Sequence, residues 1–466
     1  MKPLNKEILR LAIPSILANL TVPLVGLVDI AVAGHLDISA AAIIGGISVG
    51  SLMFDLMYWN FGFLRAGTGG MTAQAFGRED WNGCKRILKR GIGMALIAAL
   101  LLLIIQWPFQ KLIFLFIQSS EEVKSLALKY FFIRVWAAPA TLSLMTLRGW
   151  FIGMQDSFSS MLTDVVVNGV NIIMSIFLAM GIPGTSFKGI GFTGIAWGTF
   201  IAQYSGLLFA AGVLLFKYRK VLFESPSEAR MDSSTASNEP SLMKEFFTVN
   251  RDLFIRSLCL MTVHLAFTAI SARFGDTYLA MCSIMMKLML IFSYFTDGFA
   301  FAGEALTGRF IGARDRTNLT DTVKWTFIWS MGIGFLFIVF YSISGIPMFR
   351  LMTSDNTVVE AARRFIPWLA VIPLLGCPAF TWDGIYTGAT ATREMRDANL
   401  ICVLAFFIVW FGGMAIINAK GDGQVLSGTK VHLLFAAYYA HLLFRSLYQT
   451  VKYRKAILGK LLQQNP

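Results

Sequence analysis

Long, unbroken runs of apolar residues constrain this chain more than any other feature of its sequence. Residues 91–116, GIGMALIAALLLLIIQWPFQKLIFLF, contain an apolar stretch of about 20 residues, the length that crosses a bilayer core roughly 30 Å thick. The runs are continuous rather than alternating, which predicts helices and not barrel strands. Hydrophobic residues make up 56% and charged residues 14% of the 466 positions, so lipid has to cover much of the surface.

Twelve segments of this kind predict an all-α integral membrane protein with twelve transmembrane helices. We assign an N-lobe to residues 1–216 with helices 1–6, a cytoplasmic inter-lobe linker to residues 217–250, and a C-lobe to residues 251–466 with helices 7–12. The linker is rich in Ser, Glu and Lys, a composition typical of flexible segments. The predicted spans cover residues 8–34, 40–70, 91–116, 127–151, 159–181, 190–216, 253–274, 277–308, 323–344, 365–388, 398–417 and 431–449.

Basic residues are concentrated in alternate loops. With a cytoplasmic N-terminus, 23 Lys and Arg residues lie in or beside the cytoplasmic segments and 10 lie on the opposite side, as the positive-inside rule requires. The net charge of +13 therefore reflects orientation, and the absence of a single basic patch argues against nucleic-acid binding. We expect a monomer in the cell (inner) membrane, surrounded by the lipid bilayer, with both termini cytoplasmic.

Two short motifs recur in the two halves of the chain, and both recur at the same offset. Residues 149–153 (GWFIG) reappear as 384–388 (GIYTG), and residues 77–80 (GRED) reappear as 312–315 (GARD). Internal repeats of this kind indicate duplication. Because each half has an even number of helices, the predicted fold is two six-helix bundles related by a pseudo-two-fold axis normal to the membrane.

The histidines argue against an intramembrane enzyme. His35, His264, His432 and His441 are scattered, and none has a carboxylate three or four residues further along the chain. Catalysis within a membrane usually needs His, Asp, Glu or Cys clusters at helical spacing. We therefore expect no enzyme, no catalytic residue, no metal centre and no cofactor.

Several stretches are similar to the multidrug and toxic compound extrusion (MATE) family, in particular its DinF-like branch. They are PLVGLVDIAVAGHLD (23–37), NFGFLRAGTGGMTAQAFGRED (60–80), DGFAFAGEALTGRFIGARD (297–315) and GIYTGATATREMR (384–396). The resemblance implies two bundles forming a V and a secondary antiporter that exports amphipathic organic cations or related toxic compounds in exchange for H⁺ or Na⁺. The major facilitator superfamily shares the topology, but GREDWNGCKR replaces its usual basic loop after helix 2.

Polar side chains in the N-lobe predict an ion-coupling site. At about 1.5 Å per residue, Asp29 lies roughly 8 Å, Ser175 about 9 Å, Asn171 about 15 Å and Thr199 roughly 12 Å from the outer helix ends, with Gln203 one turn deeper. Charged groups at membrane depth are functional candidates. Asp29 is expected to take up a proton or to bind Na⁺. Related transporters often carry a second acid where this chain has Ser175, which leaves the coupling ion open.

Charged residues and a proline predict a cavity and a gate. Lys287 lies near the midplane of helix 8, where its ammonium group faces an aqueous cleft or belongs to a structural ion pair. We hypothesise that Arg65 pairs with Asp297 or Glu304 when the cytoplasmic side closes, although independent snorkelling explains these residues equally well. Arg256, close to a helix end, is interpreted as snorkelling.

Pro23 lies in the same helix as Asp29 and removes a backbone hydrogen bond, so helix 1 is expected to bend there. Together these features predict alternating access, in which ion binding at Asp29 reshapes the N-lobe and the substrate leaves on the outside. The alternative function is a flippase for lipids or lipid-linked substrates. A flippase needs several cations for phosphate groups, and Lys287 is the one strong midplane candidate.

Overall fold

The computed structural model describes residues 3–34, 36, 40–116, 120–181, 187–223, 239–353, 355–419 and 427–463. Within these ranges the chain is helical and contains no strand. The all-α prediction is therefore confirmed. Part of the predicted linker, residues 224–238, lies outside the described residues.

Within the described ranges, twelve long helices follow the predicted order. The six in the first half are α1 (Pro3–Gly34), α2 (Ala40–Tyr58 and Gly62–Gly77), α3 (Trp81–Phe116), α4 (Glu121–Arg134 and Ala138–Gly153), α5 (Ser157–Met180) and α6 (Phe192–Lys217). The next six are α7 (Glu239–Ser271), α8 (Asp276–Gly312), α9 (Arg316–Met352), α10 (Ile366–Gly388), α11 (Thr392–Ala419) and α12 (Ser427–Tyr453). Short 3₁₀ turns, Trp59–Phe61 and Val135–Ala137, join the two parts of α2 and of α4.

Eleven of these helices are long and apolar enough to cross a membrane. The remaining helix, α12, carries Lys430, His432, His441, Arg445 and Lys452, which lower its hydropathy. Several helices begin well before the predicted apolar segments, for example α3 at Trp81 and α9 at Arg316. Hydropathy reports only the part of a helix that lipid surrounds, and the polar turns beyond it remain helical.

The internal repeat is present in the backbone as well as in the sequence. Non-glycine residues in the left-handed region lie just beyond four helices: Glu79 and Gln155 in the first half, Arg314 and Thr390 in the second. Glu79 corresponds to Arg314, and Gln155 to Thr390, at the offset of the sequence motifs. The side chain of Asp80 accepts a hydrogen bond from the backbone N–H of Gly83 at 2.7 Å, and Asp315 accepts one from Asn318 at 3.0 Å.

Helix packing repeats in the same way. In the first half α2 packs on α4, α3 on α4, and α5 on α6; in the second half α8 packs on α10, α9 on α10, and α11 on α12. Glycines permit the close approach: a Cβ at Gly149 would lie 2.1 Å from the Arg65 carbonyl oxygen, and one at Gly384 would lie 2.0 Å from that of Ala300. The duplicated motifs are therefore helix-packing motifs.

The chain divides into two compact units. The N-terminal unit is Leu17–Lys244, and the C-terminal unit is Glu245–Pro466 together with Met1–Ile16. This division differs from the predicted lobes, because residues 1–16 belong with the second half. Glu7 accepts a hydrogen bond from Arg309 at 3.5 Å, and the Trp329 indole donates to Asn5 at 3.4 Å.

Both ends of the predicted linker, residues 217–250, are helical where the structure describes them. Helix α6 continues to Lys217, a short helix covers Arg219–Phe223, and α7 begins at Glu239.

Helix α1 is continuous through Pro23, which is half-buried. The bend proposed at Pro23 stays a prediction.

Candidate functional site

The N-terminal unit brings together four of the five residues predicted to couple ion binding. Asp29 on α1, Asn171 and Ser175 on α5, and Thr199 on α6 are all buried, with Asp29 only 7% exposed. The Asn171 side-chain amide donates to the Thr199 hydroxyl at 3.0 Å. Asn171 and Ser175 are one turn apart on α5, so they project from the same face.

Helix α6 can approach Ser175 closely because residue 198 is glycine. A Cβ at Gly198 would lie 2.6 Å from the backbone nitrogen of Ser175 and 2.7 Å from its hydroxyl oxygen. The α5–α6 contact therefore depends on the missing side chain. It places the Thr199 hydroxyl next to the polar face of α5.

Three oxygen atoms of this cluster lack a hydrogen bond to any residue that the structure describes. They are Asp29 Oδ1, Asn171 Oδ1 and Ser175 Oγ, each buried. The Ser175 hydroxyl lies beside the Asp29 carboxylate, but not in ordinary hydrogen-bond geometry. Buried polar atoms normally have partners, and hard cations prefer oxygen ligands. The arrangement can hold a proton or a small monovalent cation.

Gln203 lies one turn beyond Thr199 on α6 and is half-buried. The role of Gln203 in ion coupling stays a prediction. Among the described residues no group of three or more His, Cys, Asp or Glu side chains could hold a metal ion. A cation at Asp29 would therefore depend on amide and hydroxyl oxygens for its other contacts.

Two charged residues near this cluster were missed by our reading of the sequence. Arg134 on α4 interacts electrostatically with both Asp29 and Asp55, and Asp55 lies on α2. Both residues lie within predicted spans, so the rule that selected Asp29 also applies to them. Charge at membrane depth is therefore a sequence signal for both residues.

The charged residues predicted to form a cavity and a gate lie on α8 and α2. Lys287 is exposed, Asp297 is half-buried, and Glu304 is 1% exposed. Within the described part of the chain, Lys287 forms no ion pair, whereas Asp297 interacts electrostatically with Arg445. Arg65 on α2 is half-buried. The latch between Arg65 and Asp297 or Glu304 stays a prediction.

The C-terminal unit contains a second buried charge cluster, centred on Asp383 of α10. Asp383 accepts hydrogen bonds from Arg256 of α7, from Arg445 of α12 and from the Gln449 side-chain amide at 3.3 Å. The interpretation of Arg256 as a snorkelling residue was wrong, because its guanidinium group turns inward to this carboxylate. The carboxylate is thus neutralised by protein cations and ties three helices together.

A third ionic contact joins the start of α5 to the end of α6. Asp156 accepts hydrogen bonds from Lys217 at 2.6 Å, from the Tyr218 hydroxyl at 2.7 Å and from the backbone N–H of Ser159 at 3.2 Å. Burial alone would raise the pKa of Asp156, but the hydrogen bonds from Lys217, Ser159 and Tyr218 outweigh it and hold that pKa below its ordinary value.

Comparison with known proteins relates this arrangement to one group of transporters. The MatE family matches residues 14–177 and 253–441. The DNA damage-inducible protein F of Escherichia coli K12 is 32% identical over 418 residues, covering 88% of each chain. The probable multidrug resistance protein NorM of Photorhabdus laumondii is 25% identical, over 88% of this chain and 86% of its own length.

Solved structures resemble this fold at low sequence identity. A MATE transporter in a bent conformation superposes with a TM-score of 0.79, at 18% identity, over 99% of this chain and 97% of its own. At this identity the likeness bears on the fold alone. The assignment to the family rests instead on the sequence matches to the MatE family and to the Escherichia coli protein.

Proposed function

Given that this chain belongs to the MatE family of multidrug and toxic compound transporters, in its DinF-like branch, we propose that it is a secondary antiporter for amphipathic organic cations. Uptake of H⁺ or Na⁺ drives export by alternating access. The protein is a multi-pass membrane transporter and not an enzyme. We further propose that it works as a monomer in the cell (inner) membrane, with both termini in the cytoplasm.

The observation that carries this proposal is the set of unpaired oxygens around Asp29. A buried carboxylate is costly unless a cation or proton neutralises it. Asp29 Oδ1, Asn171 Oδ1 and Ser175 Oγ have no donor among the described residues, so an incoming monovalent cation would satisfy them. Its binding changes the charge and the contacts of α1, α5 and α6 together, and this couples the ion to a rearrangement of the unit.

The name of one relative supports multidrug export over lipid flipping. The Photorhabdus protein carries a multidrug resistance name. A phosphate-binding cavity would need several cations, and in the C-terminal unit two arginines, Arg256 and Arg445, are engaged by Asp383. Lys287 is exposed and would serve as a polar contact in the cavity rather than as part of a phosphate clamp.

Substrate efflux from proteoliposomes tests the proposal. Wild-type protein should export a fluorescent organic cation against its gradient when a pH or Na⁺ gradient is imposed. Asp29→Asn should lose gradient-driven export at least tenfold. Asp276→Asn, at the exposed start of α8, is the matched control and should transport normally. If Asp29→Asn exports as well as wild type under both gradients, the proposed coupling site is wrong.

A further inference from the structure

A short basic motif follows the sixth helix of each half and lies outside the ion site described above. The sequence KYRK occurs at residues 217–220, at the end of α6, and again at residues 452–455, at the end of α12. The two copies are separated by the offset of the other repeated motifs, and the apolar residues that follow them, VLF and AIL, also correspond. The repeat therefore includes a basic segment as well as the helix-packing motifs.

The first segment is attached to the N-terminal unit by its inward side. The Tyr218 hydroxyl donates to Asp156 at 2.7 Å, and the centre of its ring lies 4.9 Å from that of Trp150. Near the other end of the segment, the Leu222 carbonyl accepts a hydrogen bond from the Lys85 ammonium group of α3. The short helix after α6 is thus held at both ends, so its outward side has a fixed direction.

The second segment is attached to the C-terminal unit in a similar way. The centre of the Tyr453 ring lies 5.1 Å from that of Trp382 on α10, and Ile457 in the next turn is fully buried. Just after the segment, the Lys460 ammonium group donates to the Ala389 carbonyl at 2.7 Å. The motif therefore has one packed side in each unit.

The basic side chains of the two segments lie on the opposite, outward side. Arg219 and Lys220 are exposed in the first segment, and Arg454 and Lys455 are exposed at the equivalent positions of the second. None of these four side chains forms a hydrogen bond or an ion pair within the part of the chain that the structure describes. Each segment thus presents an Arg-Lys pair that is available to a negatively charged partner outside the chain.

An exposed apolar residue directly precedes each motif. Phe216 is 90% exposed and Val451 is 78% exposed, and the two occupy equivalent positions of the repeat. On a membrane-spanning helix such side chains face acyl chains, whereas Arg and Lys beyond the helix end lie at the level of the headgroups. The partner of each Arg-Lys pair is therefore negatively charged and adjoins an apolar phase, a description that fits an anionic phospholipid.

We propose that the two KYRK segments, residues 217–220 and 452–455, bind the headgroups of anionic phospholipids, one segment on each unit. Basic residues beside a spanning helix are attracted to anionic lipid, and guanidinium and ammonium groups both donate to phosphate oxygens. With the predicted topology, both segments lie in the cytoplasmic leaflet. The inference does not depend on the coupling ion or on the direction of transport.

Native mass spectrometry of the purified full-length protein tests this inference. Protein in detergent micelles is titrated with phosphatidylglycerol, and separately with phosphatidylcholine. Wild type should retain two phosphatidylglycerol molecules that phosphatidylcholine does not replace. Arg219→Gln combined with Lys220→Gln should lose one of them, with affinity at that segment reduced about tenfold or more. Arg454→Gln combined with Lys455→Gln should lose the other.

Two controls separate a specific site from general surface charge. Arg314→Gln combined with Arg316→Gln removes the same charge from another exposed pair on the predicted cytoplasmic side, and it should retain both lipids. Arg219→Lys keeps the charge of its segment and should also retain both. Thermal unfolding should be unchanged in every variant, because the substituted side chains are exposed. If one double variant does not fold, the other decides the question through the loss of one lipid.

Three results would overturn the inference. The first is equal retention of phosphatidylglycerol by wild type and by a folded double variant of either segment. The second is loss of a lipid from the Arg314 and Arg316 control. The third is displacement of the lipid by inorganic phosphate, which would show that the segments recognise free phosphate. Raising the salt concentration should release both lipids, because salt screens exposed charges; lipids that stay bound at high salt would contradict binding through the headgroup.

Discussion

Asp29 owes its candidate role to neighbours that offer it oxygen atoms rather than hydrogen-bond donors. The Asn171 amide group donates to Thr199 at 3.0 Å, which turns the donor side of Asn171 away and leaves its Oδ1 unpaired among the described residues. Ser175 stands where related transporters often carry a second acid. A hydroxyl there supplies an oxygen without a second charge, which supports the proposal that the site binds a monovalent cation.

Thr199→Val tests how this orientation is maintained. Valine has nearly the shape of threonine but no hydroxyl, so the Asn171 amide would lose its buried acceptor at a cost of about 1–3 kcal/mol. Unfolding in detergent micelles should show this loss, together with weaker binding of the coupling ion. Thr262→Val is the control, since the Thr262 hydroxyl donates only within its own helix, to Leu258 at 2.8 Å. Equal effects of the two substitutions would contradict the assignment.

Asp156 supplies a pH-dependent contribution to stability. Its pKa is held below the ordinary value by hydrogen bonds that outweigh burial, so its stabilisation is present above the ordinary pKa of about 3.9 and is lost as pH falls through the lower folded value. Asp156→Asn keeps a capping oxygen but loses the charge. We expect wild type to be more stable than this variant at pH 7 and the difference to shrink below about pH 4.

Thermal unfolding of both proteins between pH 7 and 3 measures this difference. The exposed Asp276→Asn serves as the reference substitution. A difference between wild type and Asp156→Asn that is constant across this range would show that the Asp156 contacts do not depend on its charge.

At the scale of the helices, glycine positions determine how closely neighbouring helices pack. Gly149 and Gly384 are equivalent positions of the repeat, and each allows a neighbouring backbone carbonyl to approach where a Cβ would stand. The repeated motif therefore encodes one contact used twice, between α4 and α2 and between α10 and α8. The left-handed residues that follow these helices occur at the same offset.

Gly149→Ala and Gly384→Ala should each destabilise the protein. A methyl group 2.0–2.1 Å from a carbonyl oxygen has to push two helices apart, and overpacking of this kind costs about 1–3 kcal/mol. Gly412→Ala is the control, because a Cβ there would meet nothing within 4 Å. Thermal unfolding should show lower midpoints for the first two variants and no loss for the third. Similar midpoints for all three would rule out the packing role.

On the scale of the whole molecule, the two units share a sequence repeat but differ in the charged residues at equivalent positions and in their ion pairs. Position 148 is arginine, and the equivalent position of the repeat, 383, is aspartate. Arg148 pairs with Asp164 at 2.5 Å in the N-terminal unit, whereas Asp383 pairs with Arg256 and Arg445 in the C-terminal unit. The Asp383 carboxylate is paired with protein cations, whereas we propose that the Asp29 carboxylate binds the coupling ion.

Much of the fold and of the Asp29 site could be predicted from the sequence. The length of an apolar segment determines whether it spans the membrane, and the rise per residue determines the depth of each side chain. The helices and the group formed by Asp29, Asn171, Ser175 and Thr199 were therefore predictable, whereas the Asp383 cluster was not, because it depends on which faces of α7, α10 and α12 meet. Arg256 was misinterpreted because hydropathy placed the start of helix 7 near residue 253, whereas α7 begins at Glu239 and the guanidinium group turns inward to Asp383.

The most direct test of the central claim is substrate affinity with and without the coupling ion. Binding of a fluorescent organic cation to protein in nanodiscs is measured at low and at saturating H⁺ or Na⁺, for wild type and Asp29→Asn. Antiport requires the ion to weaken substrate binding, and a tenfold rise in Kd corresponds to about 1.4 kcal/mol of coupling. We predict a rise of about tenfold or more in wild type and none in Asp29→Asn. An equal rise in both proteins would show that the coupling ion binds elsewhere.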